Sequence, residues 1–212
     1  MQRLPLHIPS IAPKFLRPPA ASRQFSASSP TPKSGFVGWY LRKLDTNPLA
    51  TKTVTTSLIY AAADVTAQMI TLDDGSGSLD HVRTMRMAGY GLLALGPSQH
   101  FWFNWMSRRF PHRDMVTTAK KIFMGQAVYG PANATLFFSY NAALQGENGG
   151  EIVARLKRDL LPTLRNGLLY WPICDFATYK FVPVHLQPLV NSTCAYLWTV
   201  YLTYMASLTK AE

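Results

Sequence analysis

Charged residues are scarce in this chain of 212 residues: they make up 15% of the sequence, against about 25% in an average soluble domain. Hydrophobic residues reach 48% and aromatic residues 12%, which excludes an intrinsically disordered chain. Two cysteines are too few for a disulfide-stapled secreted scaffold. A membrane protein is therefore the leading class. The mean hydropathy of +0.00 does not oppose it, because a polar leader and basic loops dilute that average.

Acidic residues are absent from the start of the chain, where Asp45 is the first, whereas arginine, lysine, serine, alanine and proline are frequent. The region contains no apolar run of the length found in a secretory signal peptide. This composition predicts a mitochondrial presequence over residues 1–25, with cleavage two or three residues after Arg23 in Arg23-Gln24-Phe25-Ser26. A disordered basic tail shares the composition and is the alternative, but it does not account for the arginine pattern.

The rest of the chain is predicted to form one membrane domain over residues 48–209. A matrix-side basic segment over residues 26–47 precedes it, and a short tail over residues 210–212 follows it. Because the basic residues flank apolar runs instead of forming a recognition helix, we expect no direct binding of nucleic acid.

Three stretches of the chain contain no charged residue, and a fourth contains only Asp64. The three are residues 87–107, 122–146 and 181–209, and the fourth is residues 53–72. Twenty helical residues at a rise of about 1.5 Å cover the ~30 Å hydrocarbon core of a bilayer. The stretches include Gly, Pro, Asn, Gln and Tyr, which suits helices that pack on one another. We predict an all-α fold, a polytopic transmembrane helical bundle with four spans.

Two further segments are predicted between the last two spans. Residues 151–165 place Ile152, Leu156, Leu160 and Leu164 on one helical face, which indicates an amphipathic interfacial helix. Residues 166–184 are apolar and aromatic but are interrupted by charged residues and prolines. They are predicted as a fifth segment, either kinked or re-entrant.

The charges of the loops predict the orientation of the bundle. Residues 107–121 carry a net charge of +4, and residues 73–84 carry a net charge of −2. By the positive-inside tendency, the N-terminus and the basic loop face the matrix, and the acidic loop faces the intermembrane space.

Sequence signatures of catalysis are absent. The chain contains no Gly-rich phosphate loop, no HExxH, no CxxC and no Gly-x-Ser-x-Gly. Its histidines show no metal-ligand spacing. We therefore predict that the protein is not an enzyme and that it has no cofactor.

Polar residues within the predicted spans are the strongest functional signal. An aspartate at the centre of a span costs about 2.5–3.5 kcal/mol on insertion scales, so Asp64 needs a partner or water. The candidates are Asp64, Gln68, His100, Asn104, Gln126, Asn133 and Asp175, with Tyr140 and Tyr179 on shared helix faces. Two interpretations stay open: these groups form interhelical hydrogen bonds that hold a bundle together, or they line a water-filled pathway.

A specific order of motifs runs from Gly38 to Ala206. The motifs are Trp39-Tyr40-Leu41, Asn47-Pro48, Asp64 with Gln68, Arg83 to Gly91, Gly96-Pro97-Ser98-Gln99-His100-Phe101-Trp102-Phe103, Lys120, Gln126, Pro131, Trp171-Pro172, Val182-Pro183, His185, Trp198 and Tyr201-Leu202. Together they resemble the Mpv-seventeen and peroxisomal membrane protein 22 kDa family. Gly125 stands where that family has an acidic residue, Asp175 where it has glutamine, and Thr178-Tyr179 where it has Asn-Phe.

The resemblance implies an integral, multi-pass membrane protein in mitochondria or peroxisomes. It also implies channel activity, membrane homeostasis, a stress response and mitochondrial DNA maintenance. With the leader, it favours the fungal stress-inducible branch of the mitochondrial inner membrane. We expect a protein that forms or regulates a weakly selective small-solute channel; the alternative is a non-conducting structural or interaction protein. The expected partners are membrane lipid, small solutes or metabolites, and a homo-oligomer or a larger inner-membrane complex.

Overall fold

The computed structural model describes residues 35–71 and 78–208, with side chains through Tyr201. These residues form six helices and no strand, which confirms the predicted all-α fold in this part of the chain. The helices are α1 (Phe36–Thr46), α2 (Pro48–Thr71), α3 (His81–Tyr90, Gly91–Leu95 and Gly96–Arg109), α4 (Met115–Met124, Gly125–Tyr129 and Gly130–Leu144), α5 (Gly149–Phe181) and α6 (Gln187–Leu208), with a 3-10 turn at Val184–Leu186. The predicted presequence and tail lie outside the described residues.

The four predicted spans coincide with helices α2, α3, α4 and α6. Among the described residues, no helix combines the length and the apolarity that a membrane crossing needs. The four-span arrangement therefore stays a prediction.

Helices α3 and α4 each contain a π-helical turn built on the same sequence pattern, Gly-x4-Gly-Pro. The N–H of Gly96 donates to the carbonyl of Gly91 in α3, and the N–H of Gly130 donates to the carbonyl of Gly125 in α4. The proline that follows has no N–H to donate, and its ring would clash with the carbonyl four residues earlier in a regular helix. The wider turn accommodates that proline while the helix continues.

Glycine lets α3 approach the backbone of α2 closely. A Cβ atom at Gly96 would lie 2.6 Å from the Cα of Thr53, and one at Gly91 would lie 2.8 Å from the Cα of Ser57. No side chain fits at either position. The Ser57 hydroxyl also donates a hydrogen bond of 2.8 Å to the Ala88 carbonyl of α3.

Helix α2 lies at the centre of the packing, along α6 and against both ends of α3, while α5 packs against α4 and α6. One hydrophobic cluster joins Tyr60 of α2, Tyr90 and Leu95 of α3, and Ala195 of α6. A second cluster joins Phe103 and Met106 of α3 to Tyr179 of α5. Aromatic side chains therefore connect helices that are distant in sequence.

Helix α5 is continuous from Gly149 to Phe181 and includes Pro162 and Pro172. The predicted division between an interfacial helix over residues 151–165 and a separate segment over residues 166–184 is wrong. Packing along α4 and α6 outweighs the helix-breaking tendency of the two prolines, which is about 3 kcal/mol each in an exposed helix. The helix ends at Phe181. The backbone of Val182 is extended, because a residue before proline is disfavoured in helical conformation.

Candidate functional site

The interior of this bundle is polar and its outside is apolar. Among the described residues, 13 polar or charged side chains are buried, compared with 11 hydrophobic ones. Large hydrophobic side chains point outward instead, among them Leu169, Met85 and Ile173, which are 82%, 74% and 72% exposed. A soluble domain shows the opposite distribution. The buried polar groups therefore define the candidate site.

The first polar cluster surrounds Asp64, which is 1% exposed on α2. Its Oδ1 atom accepts a hydrogen bond of 2.7 Å from Arg83 Nε. Its Oδ2 atom accepts bonds of 2.7 Å from Gln68 Nε2 and 2.8 Å from the Thr84 hydroxyl. The predicted pair of Asp64 and Gln68 is thus in contact. The partner that Asp64 requires comes from the start of α3.

Gln68 extends this cluster to the first turn of α3. Its Oε1 atom accepts a hydrogen bond of 2.6 Å from the backbone N–H of Asp80, and its Nε2 atom donates one of 3.1 Å to the carbonyl of the same residue. The Asp80 side chain caps α3 by accepting from the Arg83 N–H. The end of α2 and the start of α3 are therefore fixed to each other by side-chain hydrogen bonds.

A second cluster, which we call the Gln99 chain, consists of Thr56, Ser192, Gln99 and Asn191, all buried between α2, α3 and α6. The Ser192 hydroxyl donates to Gln99 Oε1 over 3.0 Å, and Gln99 Nε2 donates to Asn191 Oδ1 over 2.9 Å. The Thr56 and Ser192 hydroxyls lie 3.2 Å apart. Because the single Ser192 proton is directed to Gln99, Thr56 is the donor in that contact.

The Gln99 chain is not predicted from the sequence. Helical spacing reveals polar pairs only within one segment, whereas these four residues meet across three helices. The available signal was the position of Gln99, Asn191 and Ser192 inside charge-free stretches, where a polar side chain needs a partner.

The predicted pair of His100 and Asn104 is formed within α3. Asn104 Nδ2 and His100 Nε2 lie 3.1 Å apart. The His100 Nδ1 atom is buried without a hydrogen-bond partner among the described residues. This pair stabilises one helix and does not bring two helices together.

The predicted face of Gln126, Asn133 and Tyr140 on α4 has two different neighbours. Gln126 Nε2 donates to Asp175 Oδ2 of α5 over 2.9 Å. Asn133 Oδ1 instead accepts a bond of 2.7 Å from the Tyr90 hydroxyl of α3, and the Tyr140 ring lies 5.5 Å from the Tyr90 ring. The π-helical turn at Gly125–Tyr129 lies between these residues. It adds a residue to the turn and so changes the spacing from that of a regular helix.

Tyr179 shares a face of α5 with Asp175 but has a different partner, the aromatic side of α3. The Trp102 indole N–H donates to the Tyr179 hydroxyl over 3.0 Å, and Trp102 stacks on Tyr129 of α4 with ring centroids 4.9 Å apart. The Ser98 and Tyr129 hydroxyls lie 3.1 Å apart. These aromatic side chains thus join helices α3, α4 and α5, and the indole N–H and the two tyrosine hydroxyls all take part in hydrogen bonds.

One titratable group in the loop before α4 is strongly perturbed. Hydrogen bonds from the Thr117 side chain and backbone N–H lower the pKa of Asp114 to about 2, and the Thr117 N–H lies 3.0 Å from Asp114 Oδ2. This carboxylate caps the first turn of α4, where a negative charge is favourable. It stays ionised at neutral pH.

The polar interior provides hydrogen bonds between helices. Within residues 35–71 and 78–208, no cluster of three or more His, Cys, Asp or Glu residues has the arrangement of a metal site. Each of Asp64, Gln126, Asn133 and Asp175 has a hydrogen-bond partner on a neighbouring helix. Chemically, the arrangement can hold helices in register or offer hydroxyl and amide groups to a polar solute.

Comparison with known proteins assigns the chain to a family. The Mpv17 / PMP22 family profile matches residues 142–203. The chain is 33% identical to PXMP2/4 family protein 4 of Dictyostelium discoideum, over 79% of this chain and 91% of that protein. It is 28% identical to the mitochondrial inner membrane protein Mpv17 of Xenopus laevis, over 79% and 95% of the two chains.

A third relative is peroxisomal membrane protein 2 of Bos taurus, which is 30% identical over 91% of this chain and 99% of that protein. No solved structure matches the chain. The profile match at the C-terminal helices and the identity to full-length relatives agree with the order of motifs in the sequence. The chain therefore belongs to the Mpv17 / PMP22 family.

Proposed function

We propose that this protein is an integral, multi-pass protein of the mitochondrial inner membrane that forms or regulates a weakly selective pathway for small solutes. Four spans correspond to α2, α3, α4 and α6. Contributions to membrane homeostasis, the stress response and mitochondrial DNA maintenance follow as the roles that the family resemblance implies. The peroxisomal membrane is the alternative location, since relatives are named for both membranes.

The observation that carries the membrane location is the inverted distribution of side chains. Leucine, isoleucine and methionine side chains more than 70% exposed cover the outside, while aspartate, glutamine and asparagine are buried. An apolar outer surface is unfavourable in water and suits contact with lipid tails. The acid-free, arginine-containing start of the sequence supports the mitochondrial address.

The Gln99 chain supports the solute pathway. Thr56, Ser192, Gln99 and Asn191 bring hydroxyl and amide groups together in the interior, between three helices. These groups carry no charge, and the nearby charge of Asp64 is compensated by Arg83. A path lined by neutral polar groups would admit small solutes with weak preference for charge.

A non-conducting structural role is the second candidate, and the same hydrogen bonds favour it, because every member of the Gln99 chain has a partner. Recording from the purified protein in planar bilayers separates the two. We expect stepwise conductance with a reversal potential close to zero under a salt gradient.

The matched variants Gln99→Leu and Thr193→Val test the path itself. Gln99 is buried in the chain of polar groups, whereas Thr193 is exposed on the outside of α6. Gln99→Leu is expected to lower the unitary conductance, and Thr193→Val to leave it unchanged. Silent bilayers with folded parent protein would leave the structural role as the function.

A further inference from the structure

A cavity of about 170 Å³ lies where the end of α3, the start of α4, the end of α5 and the start of α6 come together. Its walls include Met106, Phe110, Arg113, Lys121, Tyr179 and Gln187. An engineered cavity of about 150 Å³ in another protein admits benzene. The volume is therefore sufficient for one small polyatomic group.

Lys121 is the unusual member of this wall. It is only 5% exposed, and its ammonium donates to the His112 carbonyl over 3.3 Å. The ammonium also lies 5.8 Å from the centre of the Tyr179 ring. Within the described part of the chain, no carboxylate oxygen lies within 4.0 Å of it. An ammonium has three N–H donors, and a buried cation that no carboxylate contacts is costly.

The mouth of the cavity adds positive charge. The exposed Arg113 guanidinium donates to the Val182 carbonyl over 3.3 Å, and Lys180 Nζ donates to the Arg113 carbonyl over 2.6 Å. Asp114, the acidic residue of this loop, is engaged as the cap of α4 through the Thr117 N–H. Residues 107–121, which include this loop and the adjoining helix ends, have a net charge of +4. An anion entering here would meet cations on two sides.

We propose that this cavity binds a phosphate group, either that of an anionic lipid headgroup or that of a small free phosphate. Lys121 supplies a buried ammonium and Arg113 a guanidinium at the mouth, the two side chains best suited to phosphate oxygens. The site is separate from the Gln99 chain, and binding does not depend on whether the protein conducts.

The test uses the full-length protein in a phosphate-free maltoside detergent at constant ionic strength. One arm measures binding of radiolabelled inorganic phosphate by equilibrium dialysis. The other measures retention of phosphatidic acid against phosphatidylcholine by native mass spectrometry. The matched pair of variants is Lys121→Met and Lys120→Met, since Lys120 is the exposed neighbour with the same charge.

We expect the parent protein to bind at least one probe and Lys121→Met to weaken that binding about tenfold or more, as expected for loss of a strong charge-assisted hydrogen bond. Lys120→Met is expected to change it less than about twofold. Binding of inorganic phosphate alone identifies a free phosphate as the ligand, and retention of phosphatidic acid alone identifies a lipid headgroup. Binding of both shows that the phosphate group is sufficient.

Melting temperatures measured with and without phosphate distinguish a variant that has lost binding from one that has failed to fold. Because Lys121→Met removes a buried charge that no carboxylate contacts, it is expected to melt no lower than the parent without phosphate. Phosphate should raise the melting temperature of the parent and of Lys120→Met, but not that of Lys121→Met. Arg113→Gln, at the exposed wall, is expected to weaken binding about fivefold with no change in folding. Absence of binding by the parent to either probe, or equal loss in Lys120→Met and Lys121→Met, would overturn the proposal.

Discussion

Arg83 Nε of α3 donates a hydrogen bond of 2.7 Å to Asp64 Oδ1 of α2. Arg83 thereby supplies the counter-charge for Asp64, which is the one charged residue within residues 53–72. The Asp64 side chain is 1% exposed, whereas the Arg83 side chain is 45% exposed. The buried member thus depends on a partner that reaches it from the surface. For Asp64, this geometry favours an interhelical role over a free charge in a pathway.

The first prediction concerns this ion pair. Arg83→Gln leaves the Asp64 carboxylate buried without its counter-charge, and we expect a loss of about 2 kcal/mol in the free energy of unfolding, below the 3–5 kcal/mol for fully buried pairs because Arg83 is half-exposed. Asp64→Asn keeps the Thr84 and Gln68 contacts and should cost ~0.6–2 kcal/mol. Unfolding in detergent with increasing denaturant measures both.

The double variant Arg83→Gln/Asp64→Asn is the control for this pair. It is expected to cost less than the sum of the single variants, because the uncompensated charge is gone. Asp64→Asn is also expected to leave the reversal potential of any conductance unchanged. A shift of that potential toward anion selectivity would contradict the interhelical role and place Asp64 on a pathway.

The second prediction concerns the stability of the Gln99 chain. Gln99→Leu removes the hydrogen bonds of Gln99 to Asn191 and Ser192, which are 7% and 0% exposed, and leaves Ser192 with its contact to Thr56. We expect a loss of roughly 1–3 kcal/mol, since a buried polar group without a partner carries its full desolvation cost. Thr193→Val, next to Ser192 but exposed, is the matched control and should change stability by less than about 0.5 kcal/mol. An equal effect of both would mean that the interior hydrogen bonds contribute nothing.

Much of the fold could be predicted from charge and polarity alone. Three stretches without charge, and a fourth with only Asp64, predict the positions of α2, α3, α4 and α6. Long stretches with so few charged residues are easily recognised in a sequence. The i, i+4 pairs Asp64–Gln68 and His100–Asn104 were also predictable, because both partners lie on one helix.

The features that could not be predicted all depend on neighbours in space. The Arg83–Asp64 pair and the Gln99 chain need the packing of α2 against α3 and α6, which single-helix spacing does not contain. The repeated Gly-x4-Gly-Pro pattern is visible in the sequence, but its outcome as a π-helical turn is decided by packing. The continuity of α5 through Pro162 and Pro172 likewise reflects tertiary contacts that override a local preference.

The third prediction is a pH dependence from Asp114. Its pKa is lowered to about 2 by hydrogen bonds from Thr117, so the folded state favours the ionised form. Its stabilising effect is complete above the unfolded pKa of about 4 and is lost as the pH falls from about 4 to about 2. Amide hydrogen exchange in residues 115–118 should accelerate over that range.

Two substitutions separate charge from capping at this position. Asp114→Asn retains a capping side chain and should remove the pH dependence between pH 4 and pH 2, and Asp114→Ala should accelerate exchange in the first turn of α4 at every pH. The prediction would be wrong if Asp114→Asn and the parent protein lost protection over the same pH range.

The fourth prediction concerns orientation. In a background of Cys174→Ala and Cys194→Ala, the substitutions Ser78→Cys and His112→Cys place single thiols at exposed positions in the acidic and basic loops. The net charges of −2 and +4 predict that these loops face the intermembrane space and the matrix, respectively. In mitoplasts, an impermeant maleimide should therefore react with Ser78→Cys and reach His112→Cys only after permeabilisation. Labelling in the reverse order would invert the proposed orientation.

The last prediction concerns the contact between Gly125 of α4 and Asp175 of α5. A Cβ atom at Gly125 would lie 3.0 Å from Asp175 Oδ2, the same oxygen that accepts from Gln126. Gly125→Asp would therefore place two acidic side chains against each other, and like charges in contact repel. We expect a loss of about 2 kcal/mol or more in the free energy of unfolding. Gly125→Asn has nearly the same volume without the charge, and its amide can donate to Asp175, so the difference between the two variants measures the change from an amide–carboxylate contact to a contact between two acids.

The double variant Gly125→Asp/Asp175→Gln tests whether the single carboxylate of this contact must be on α5 or can be on either helix. It moves the acid from α5 to α4 and places an amide opposite it, so the charge repulsion is removed and an amide–carboxylate hydrogen bond can form again. We expect it to regain most of the stability that Gly125→Asp loses, in the same denaturant series. If it is no more stable than Gly125→Asp, steric exclusion at Gly125 is the reason for glycine there, and the two positions are not electrostatically coupled. Recovery would instead show that α4 and α5 are held by one acid–amide contact that either helix can supply.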